Sequence, residues 1–314
     1  MNSQDQEVLL KNLKALAKEN NLDISAEIAK IEQKMETSAR AVDRVWEKVS
    51  IARNPERPRT LDYIEMIFDD FTELHGDRLY GDDPAMIGGI GFLNGMPVTV
   101  IGNMKGRNLK ETIERNGGMA NPEGYRKALR LARQAEKFHR PVVCFVDTQG
   151  AFCGADGEER GQGEAIAENI MEMLGLKTPT ISIVIGEGGS GGALALCSAD
   201  RVYMMENAVY SVISPEGCAS ILWKDASRAE DAAQCLRITA DDMKNFGVAE
   251  TVIPENFDQF TKTCADIKEH LVQDLRELLS KKTEQLLSDR YLRFRKFGIY
   301  EENGETQGTT LYPV

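Results

Sequence analysis

The sequence predicts an α/β fold with a largely buried sheet, on three observations. Apolar runs such as 141–147 (PVVCFVD) and 180–185 (TISIVI) lack polar alternation, as strands covered on both faces do. Helical periods separate these runs, the order of a parallel sheet with crossover helices. Glycine clusters at 148–157 and 186–192 follow directly on the two strands, where sheets of this class present ligand-binding loops. A chain of 314 residues, 42% hydrophobic and 28% charged, is long enough for a sizeable core.

The elements follow in order. Leu9, Leu13 and Leu16 lie on one helical face, and Ile24, Ile28, Ile31, Met35, Val42, Val45 and Val49 form a seam for packing along another helix. Asn54-Pro55-Glu56-Arg57-Pro58 interrupts this pattern, and Thr60 is placed to cap a helix running through Phe68. GIGFL, Asn94-Gly95 and MPVTVIGN spell a β-hairpin, because a type I′ turn wants two positive-φ residues. Asn121-Pro122-Glu123 starts a helix. A helix carrying Ile166, Ile170, Met173 and Leu174, the short helix GALALCSA, the strands RVYMME and VYSVIS and a helix opened by Ser214-Pro215-Glu216 come next. Phe260, Ile267, Leu271, Leu275 and Leu278 mark a last amphipathic helix. The domain reading is a helical, coiled-coil-like extension over 1–55, a globular domain over 56–256, a C-terminal helix over 257–300 and a disordered tail over 301–314.

A net charge of −12 argues against nucleic acid or an anionic membrane as the main partner. Residues 104–140 nevertheless carry ten Lys or Arg against four Glu. Two readings stay open for this stretch: a solvated helix face, or a surface for an acidic or phosphorylated partner. The six cysteines form no C-x-x-C pair and have no histidine at metal-ligand spacing, so no metal site is expected on this chain. No charged-then-apolar leader is present and no run approaches ~18 apolar residues; the expectation is a soluble, cytoplasmic protein.

The densest chemical signal is Gly186-Glu187-Gly188-Gly189-Ser190-Gly191-Gly192, read as a loop between a strand and a helix. Glycine lets another molecule approach the backbone, and free N–H groups at a helix start suit an oxyanion. Gly186-x-Gly188-x-x-Gly191 also fits a dinucleotide fingerprint, but the helix after it is too short for the usual crossover. Gly188-x-Ser190-x-Gly192 fits a serine nucleophile elbow, for which only His270 falls in the required chain order. The second cluster runs from Asp147 to Ala155, and Glu158-Glu159-Arg160-Gly161 after it suggests charge pairing at the next helix start. Cys153 has no local histidine and reads as a packing residue.

The segments LDYIEMIFDDFTELHGDR, DDPAMIGGIGFLNG, NPEGYRKALRLARQAEKF, EERGQGEAIAENI, VIGEGGSGGALAL and YSVISPEGCASILWKD together resemble the alpha subunits of bacterial acetyl-CoA carboxylase carboxyltransferases, over roughly residues 45–255. The resemblance implies a crotonase-like (ClpP/crotonase) α/β fold of ββα units with helical extensions at both ends. It implies a transferase that moves the carboxyl group of carboxybiotin, held on a biotin carboxyl carrier protein, to acetyl-CoA, giving malonyl-CoA for fatty acid biosynthesis. Biotin is thus the implied cofactor. The implied partners are a zinc-ribbon-bearing beta subunit in an α2β2 heterotetramer, and biotin carboxylase in the wider ATP-dependent complex. By the same resemblance the backbone of Gly191 and Gly192 supplies one pair of oxyanion donors and Gly154 with Ala155 another. Gly188, Gly189, Gly150 and Phe152 then line the carboxybiotin side.

The chain departs from the family pattern in the second cluster. Gln149 stands where a proline is common, and Phe152-Cys153 replaces the usual Tyr-Pro, which frees two backbone N–H groups and loosens φ. Two other readings are the biotin-side subunit of a different acyl-CoA carboxylase or decarboxylase and a non-catalytic scaffold.

Overall fold

A computed structural model describes residues 3–19, 24–298, 300–302 and 305–307, with side chains described outside 3–8, 18–19, 35–43 and 300–307. The side chains of the seam residues Met35 and Val42, and the end of the tail, 308–314, lie outside what the structure describes. The first elements are α1 (Ser3–Glu19), α2 (Ser25–Arg53), α3 (Thr60–Ile67), β1 (Asp69–Glu73), β2 (Met86–Leu93), β3 (Met96–Asn103), α4 (Leu109–Glu114), α5 (Pro122–Lys137) and β4 (Val142–Thr148). Next come α6 (Ala155–Glu159), α7 (Gln162–Gly175), β5 (Thr180–Gly189), α8 (Ser190–Cys197), β6 (Arg201–Met205), β7 (Val209–Ser211), α9 (Pro215–Trp223) and α10 (Ala229–Leu236). The chain ends with α11 (Ala240–Asn245), β8 (Thr251–Ile253), α12 (Phe260–Leu279), α13 (Thr283–Arg295), β9 (Tyr300–Glu302) and β10 (Glu305–Gln307).

Two compact units result, residues 1–50 with 214–237, and 51–213 with 238–314. In the first, Lys14 bonds Glu32 at 2.6 Å. The predicted seam is only partly covered: Val49 is buried, but Leu9, Leu16 and Ile31 are exposed. Ser214 caps α9 by accepting from the Gly217 N–H at 3.1 Å, with Pro215 in the first turn as the sequence suggests. Arg228, leading into α10, lies over the Trp223 ring at 4.0 Å.

The second unit is built on a sheet of order β1-β2-β3-β4-β5-β6-β8, with β7 also paired to β5. β1, β2 and β3 are antiparallel, and the pairs from β3 onward are parallel. The hairpin between β2 and β3 turns at Asn94 and Gly95, both at positive φ (49° and 79°), as their sequence requires. β4 is buried along its whole length, and Phe145 on it stacks against Tyr63 of α3. Thr60 does not cap α3. Arg59 holds the cap position, its N–H donating to Asp62 at 2.6 Å, while the Thr60 hydroxyl donates to the Asn103 carbonyl.

The single C-terminal helix expected over 257–300 is two helices, α12 and α13, separated at 280–282. Ile267, Leu271, Leu275 and Leu278 of α12 are buried as the period predicts. In α13 the fully buried Arg290 pairs with Asp200 at 2.7 Å and donates to the carbonyls of Met173 and Leu176, satisfying the C-terminus of α7. The tail expected to be disordered contains β9 and β10, paired antiparallel.

The basic stretch is neither a solvated face nor a free surface at its centre. Lys127 is buried and donates to Asp82 at 2.5 Å and to the Asp83 carbonyl at 2.9 Å. Arg126 binds Asp77 at 2.9 Å, and Arg130 binds the Gly76 carbonyl at 3.0 Å. Three cations of α5 therefore clamp the segment before β2. Burial works to raise the Asp82 carboxyl, but the Lys127 ammonium and the Gly76 N–H outweigh it and hold the group at about 2. No helix among the described residues is long and apolar enough to cross a membrane.

Candidate active site

The carboxyl ends of β4 and β5 lie side by side, with Thr148 in register with Gly188. β5 changes neighbour along its length: Ile181–Val184 pairs with β6, and Glu187–Gly189 pairs with β7. The glycine run is therefore not a loop. Gly186–Gly189 is strand, and Ser190 opens α8. Close approach explains the missing side chains. A Cβ at Gly186 would stand 2.4 Å from the Asp147 carboxylate, one at Gly188 2.7 Å from the Tyr210 ring, and one at Gly189 2.0 Å from the Gln149 carbonyl oxygen. Gly188 is buried by this packing, and Gly189 is half-buried.

α8 then starts at an abrupt corner. Ser190 is exposed with φ 52°, a left-handed conformation that costs a non-glycine residue roughly 1 kcal/mol or more. First-turn N–H groups of a helix have no intrahelical acceptor, and Gly189 at the N-cap has no side chain to offer one. Gly191 is half-buried beside Ile166, and Gly192 is buried. A Cβ on Gly192 would meet Ala151 N and Gly150 C, each at 2.7 Å, and the Tyr125 hydroxyl at 2.8 Å. The start of α8 thus presses directly against the second glycine cluster.

That cluster is held by hydrogen bonds. The Thr148 hydroxyl accepts from the Gly150 N–H at 3.1 Å and donates to its carbonyl at 2.6 Å. The Phe152 N–H donates to the Ala120 carbonyl at 3.0 Å. Gln162, buried at the start of α7, donates to both the Phe152 and the Ala120 carbonyls. Gly154 is the N-cap of α6, half-buried under the Phe152 ring, and Ala155 is the exposed first residue of that helix. Around Gly150 the space a side chain would take is open. Contact between the two clusters is made at Gly150–Ala151 rather than at Gly154–Ala155. Arg160, expected to pair locally, reaches instead to Glu123 at 2.7 Å.

Beneath both clusters lies a set of charges that sequence spacing does not reveal. Lys105, following β3, donates at 2.8 Å to Asp147 of β4 and at 2.8 Å to Glu187 of β5. Arg59 reaches the other Asp147 oxygen at 3.1 Å, Arg53 binds Glu187 at 2.8 Å, and the Glu187 N–H donates to Asp147 at 3.0 Å. Burial disfavours the Lys105 charge, but the two carboxylates outweigh it and hold its pKa above the usual value; Asp147, also opposed by burial, is held low by Lys105 and Arg59. The only hints in sequence are acids at the ends of two apolar strands. Tyr125 was equally hidden: its buried hydroxyl has no hydrogen-bond partner.

The arrangement disfavours the two other motif readings. Gly186 and Gly188 of the supposed dinucleotide fingerprint lie inside a strand. Ser190 has the exposure and strain of a nucleophile elbow, yet His75 pairs with Asp82 and His270 bonds the Asp266 carbonyl of its own helix. Among the described residues no group of three or more His, Cys, Asp or Glu side chains is placed to hold a metal ion.

Comparison with known proteins agrees with this architecture. The profile of the family described as acetyl co-enzyme A carboxylase carboxyltransferase-like matches residues 3–298. The acetyl-coenzyme A carboxylase carboxyl transferase subunit alpha of Treponema denticola is 58% identical over 306 residues, 96% of this chain and 100% of that protein. Its namesake in Listeria welshimeri is 51% identical over 297 residues, 92% of this chain and 93% of that one. Among solved structures, transcarboxylase 12S with hydrolyzed methylmalonyl-coenzyme A bound aligns with a TM-score of 0.61 at 20% identity, over 76% of this chain and 45% of that chain. A Pseudomonas malonate decarboxylase hetero-tetramer in complex with coenzyme A aligns at 0.56 and 18% identity, over 67% and 86%. These likenesses bear out the crotonase-like fold. With the paired strand ends, the sharp entry into α8 and near-complete coverage by alpha-type relatives, the chain belongs to the acetyl co-enzyme A carboxylase carboxyltransferase-like family.

Proposed function

We propose that this chain is the biotin-side half of a carboxyltransferase that converts acetyl-CoA to malonyl-CoA, working with a zinc-ribbon-bearing beta subunit in an α2β2 assembly in the cytoplasm. Carboxybiotin, brought on a separate carrier protein, is a substrate here and supplies the carboxyl group. The methyl carbon of acetyl-CoA loses a proton and forms the new C–C bond as the N–C bond to the carboxyl group breaks; the biotin nitrogen receives the proton. Negative charge develops on the ureido oxygen and on the thioester oxygen, so the reaction calls for fixed donors more than for a strong side-chain base. In this reading the backbone N–H groups of Gly191 and Gly192 serve one oxygen and those of Gly154 and Ala155 the other. Removing one such donor costs about 10²–10³-fold in rate.

The observation that carries the reading is the seating of Gly192 against Gly150 and Ala151, which brings amides from two strand ends to one place. Gly150 is buried, and the space beside its Cα is left unfilled by protein. Beneath it, Arg53, Arg59 and Lys105 outnumber Asp147 and Glu187, a local balance that favours developing negative charge. The test is co-purification with the beta subunit encoded by the same genome, followed by malonyl-CoA-dependent carboxylation of free biotin. Malonyl-CoA is expected to be used, whereas turnover by the isolated chain, or none with the beta subunit, overturns the reading.

A further inference from the structure

Lys105 binds a carboxylate at the root of each glycine cluster, beside the Glu187 N–H bond to Asp147 that also links the two strands. Asp147 is followed directly by Thr148, which closes the turn at Gly150; Glu187 precedes Gly188 and Gly189, which lead into Ser190. A single buried ammonium 2.8 Å from each carboxylate is a cross-strand tie at the point where the β4–β5 register shifts between Val146 and Thr148. Gly186 is the residue that admits the tie, since any Cβ there would collide with the Asp147 carboxylate. Two buried carboxylates without the ammonium would repel each other across low-dielectric space. Arg59 and Arg53 cannot replace it, because each binds only one of the two acids.

We propose that Lys105 is a positioning residue, one that touches no substrate but fixes the spacing between the amides of the 148–155 turn and those of the α8 entry. The inference rests on the carboxyl-transfer reading above for its kinetic consequence, and on geometry alone for its structural one. A donor array is useful only when its members are held to within about half an ångström of the productive geometry. Loosening the tie therefore acts on the transition state more than on substrate affinity.

The test uses the reconstituted complex with Lys105→Met, Glu187→Gln and the double variant. Lys105→Met is expected to lower kcat about 30-fold or more with the KM for malonyl-CoA changed less than about 2-fold. Amide hydrogen exchange should quicken in both 148–155 and 188–192. Adding Glu187→Gln to Lys105→Met removes the repulsion and should recover at least about a third of the lost logarithmic rate. Glu187→Gln alone should quicken exchange at 188–192 only, and it carries the test should Lys105→Met fail to fold. Unchanged kcat in Lys105→Met, a KM effect without a kcat effect, or faster exchange confined to one cluster each overturns the proposal. Exchange that quickens as expected in Lys105→Met, when even the wild-type complex transfers no carboxyl group, would sustain the tie and remove only the functional reading.

Discussion

The two glycine clusters reach the same end of the sheet by opposite means. In the β5–α8 segment four of the five missing side chains are replaced by a neighbour: the Asp147 carboxylate at Gly186, the Tyr210 ring at Gly188, the Gln149 carbonyl at Gly189 and Ala151 N at Gly192, while Gly191 has only Ile166 at 3.4 Å. In the 148–155 turn, Gly150 has nothing within 4 Å of the Cβ position and Gly154 has only the Phe152 ring. That turn is fixed by hydrogen bonds to the Thr148 hydroxyl and the Ala120 carbonyl and from the Gln162 amide. Packing tolerates no added atom, whereas backbone hydrogen bonds leave side-chain identity free. Gln149, Phe152 and Cys153 all lie in the hydrogen-bonded turn, where side-chain identity is the less constrained.

The contrast breaks most sharply at Gly192. In Gly192→Val the added atoms must enter backbone at 2.7 Å, so the two clusters have to separate. We expect kcat for carboxyl transfer to fall about 10²-fold or more, with circular dichroism and binding to the beta subunit retained. An unchanged kcat would show that the packed run is scaffold and not site.

The exposed turn offers a chemical probe of smaller effect. Cys153 and Cys235 are exposed, while Cys144, Cys197, Cys218 and Cys264 are buried. Alkylation with N-ethylmaleimide should modify the two exposed thiols first and lower activity about 10-fold, by placing bulk beside Gly154. Cys153→Ser should keep its activity under the same treatment. Inactivation that tracks Cys235 instead, followed by mass spectrometry, would contradict the placement of the site at this turn.

A third substitution sharpens the same point. The Cβ of Gly154→Ala would stand 2.5 Å from two carbons of the Phe152 ring, an obstacle that can swing aside. The expected loss in kcat is about 3-fold to 10-fold, and Phe152→Leu in the same chain should restore most of it. Failure of that rescue would mean that Gly154 is needed for its backbone conformation and not for room under the ring.

How far the sequence discloses this arrangement follows from the range of the forces involved. Apolar runs and the Asn94-Gly95 turn are local signals, and β2, β3, β4 and the first half of β5 stand where those signals put them. Gly186–Gly189 is strand because β4 and β7 pair with it on either side, a tertiary effect that overrides glycine's weak strand propensity. The cations of α5 look like a wet face by period, yet Asp77, Asp82 and Asp83 come from a segment some 45 residues earlier to bury them. The Lys105 tie draws on three segments, and the arginines beside it come from two more, so no spacing encodes the set. The proposal of donors at 191 and 192 rests on a long family resemblance, because glycine content alone leaves their role open.

The smallest expected effect tests whether the corner at Ser190 is strain or chemistry. With φ at 52°, Ser190→Gly removes a left-handed penalty of roughly 1–2 kcal/mol and gives back part of it, about 0.4–1 kcal/mol, through the freer unfolded chain. The net should be a gain of about 0.5–1 kcal/mol in urea unfolding of the complex, with kcat within about 2-fold of wild type. Ser190→Ala keeps the Cβ and hence the strain, so it should gain no stability and lose little activity. A serine acting as nucleophile would reverse this pattern, because both substitutions would then abolish turnover whatever they did to stability. Among the described residues no histidine is hydrogen-bonded to its hydroxyl, and the corner turns the chain so that Gly192 meets Ala151.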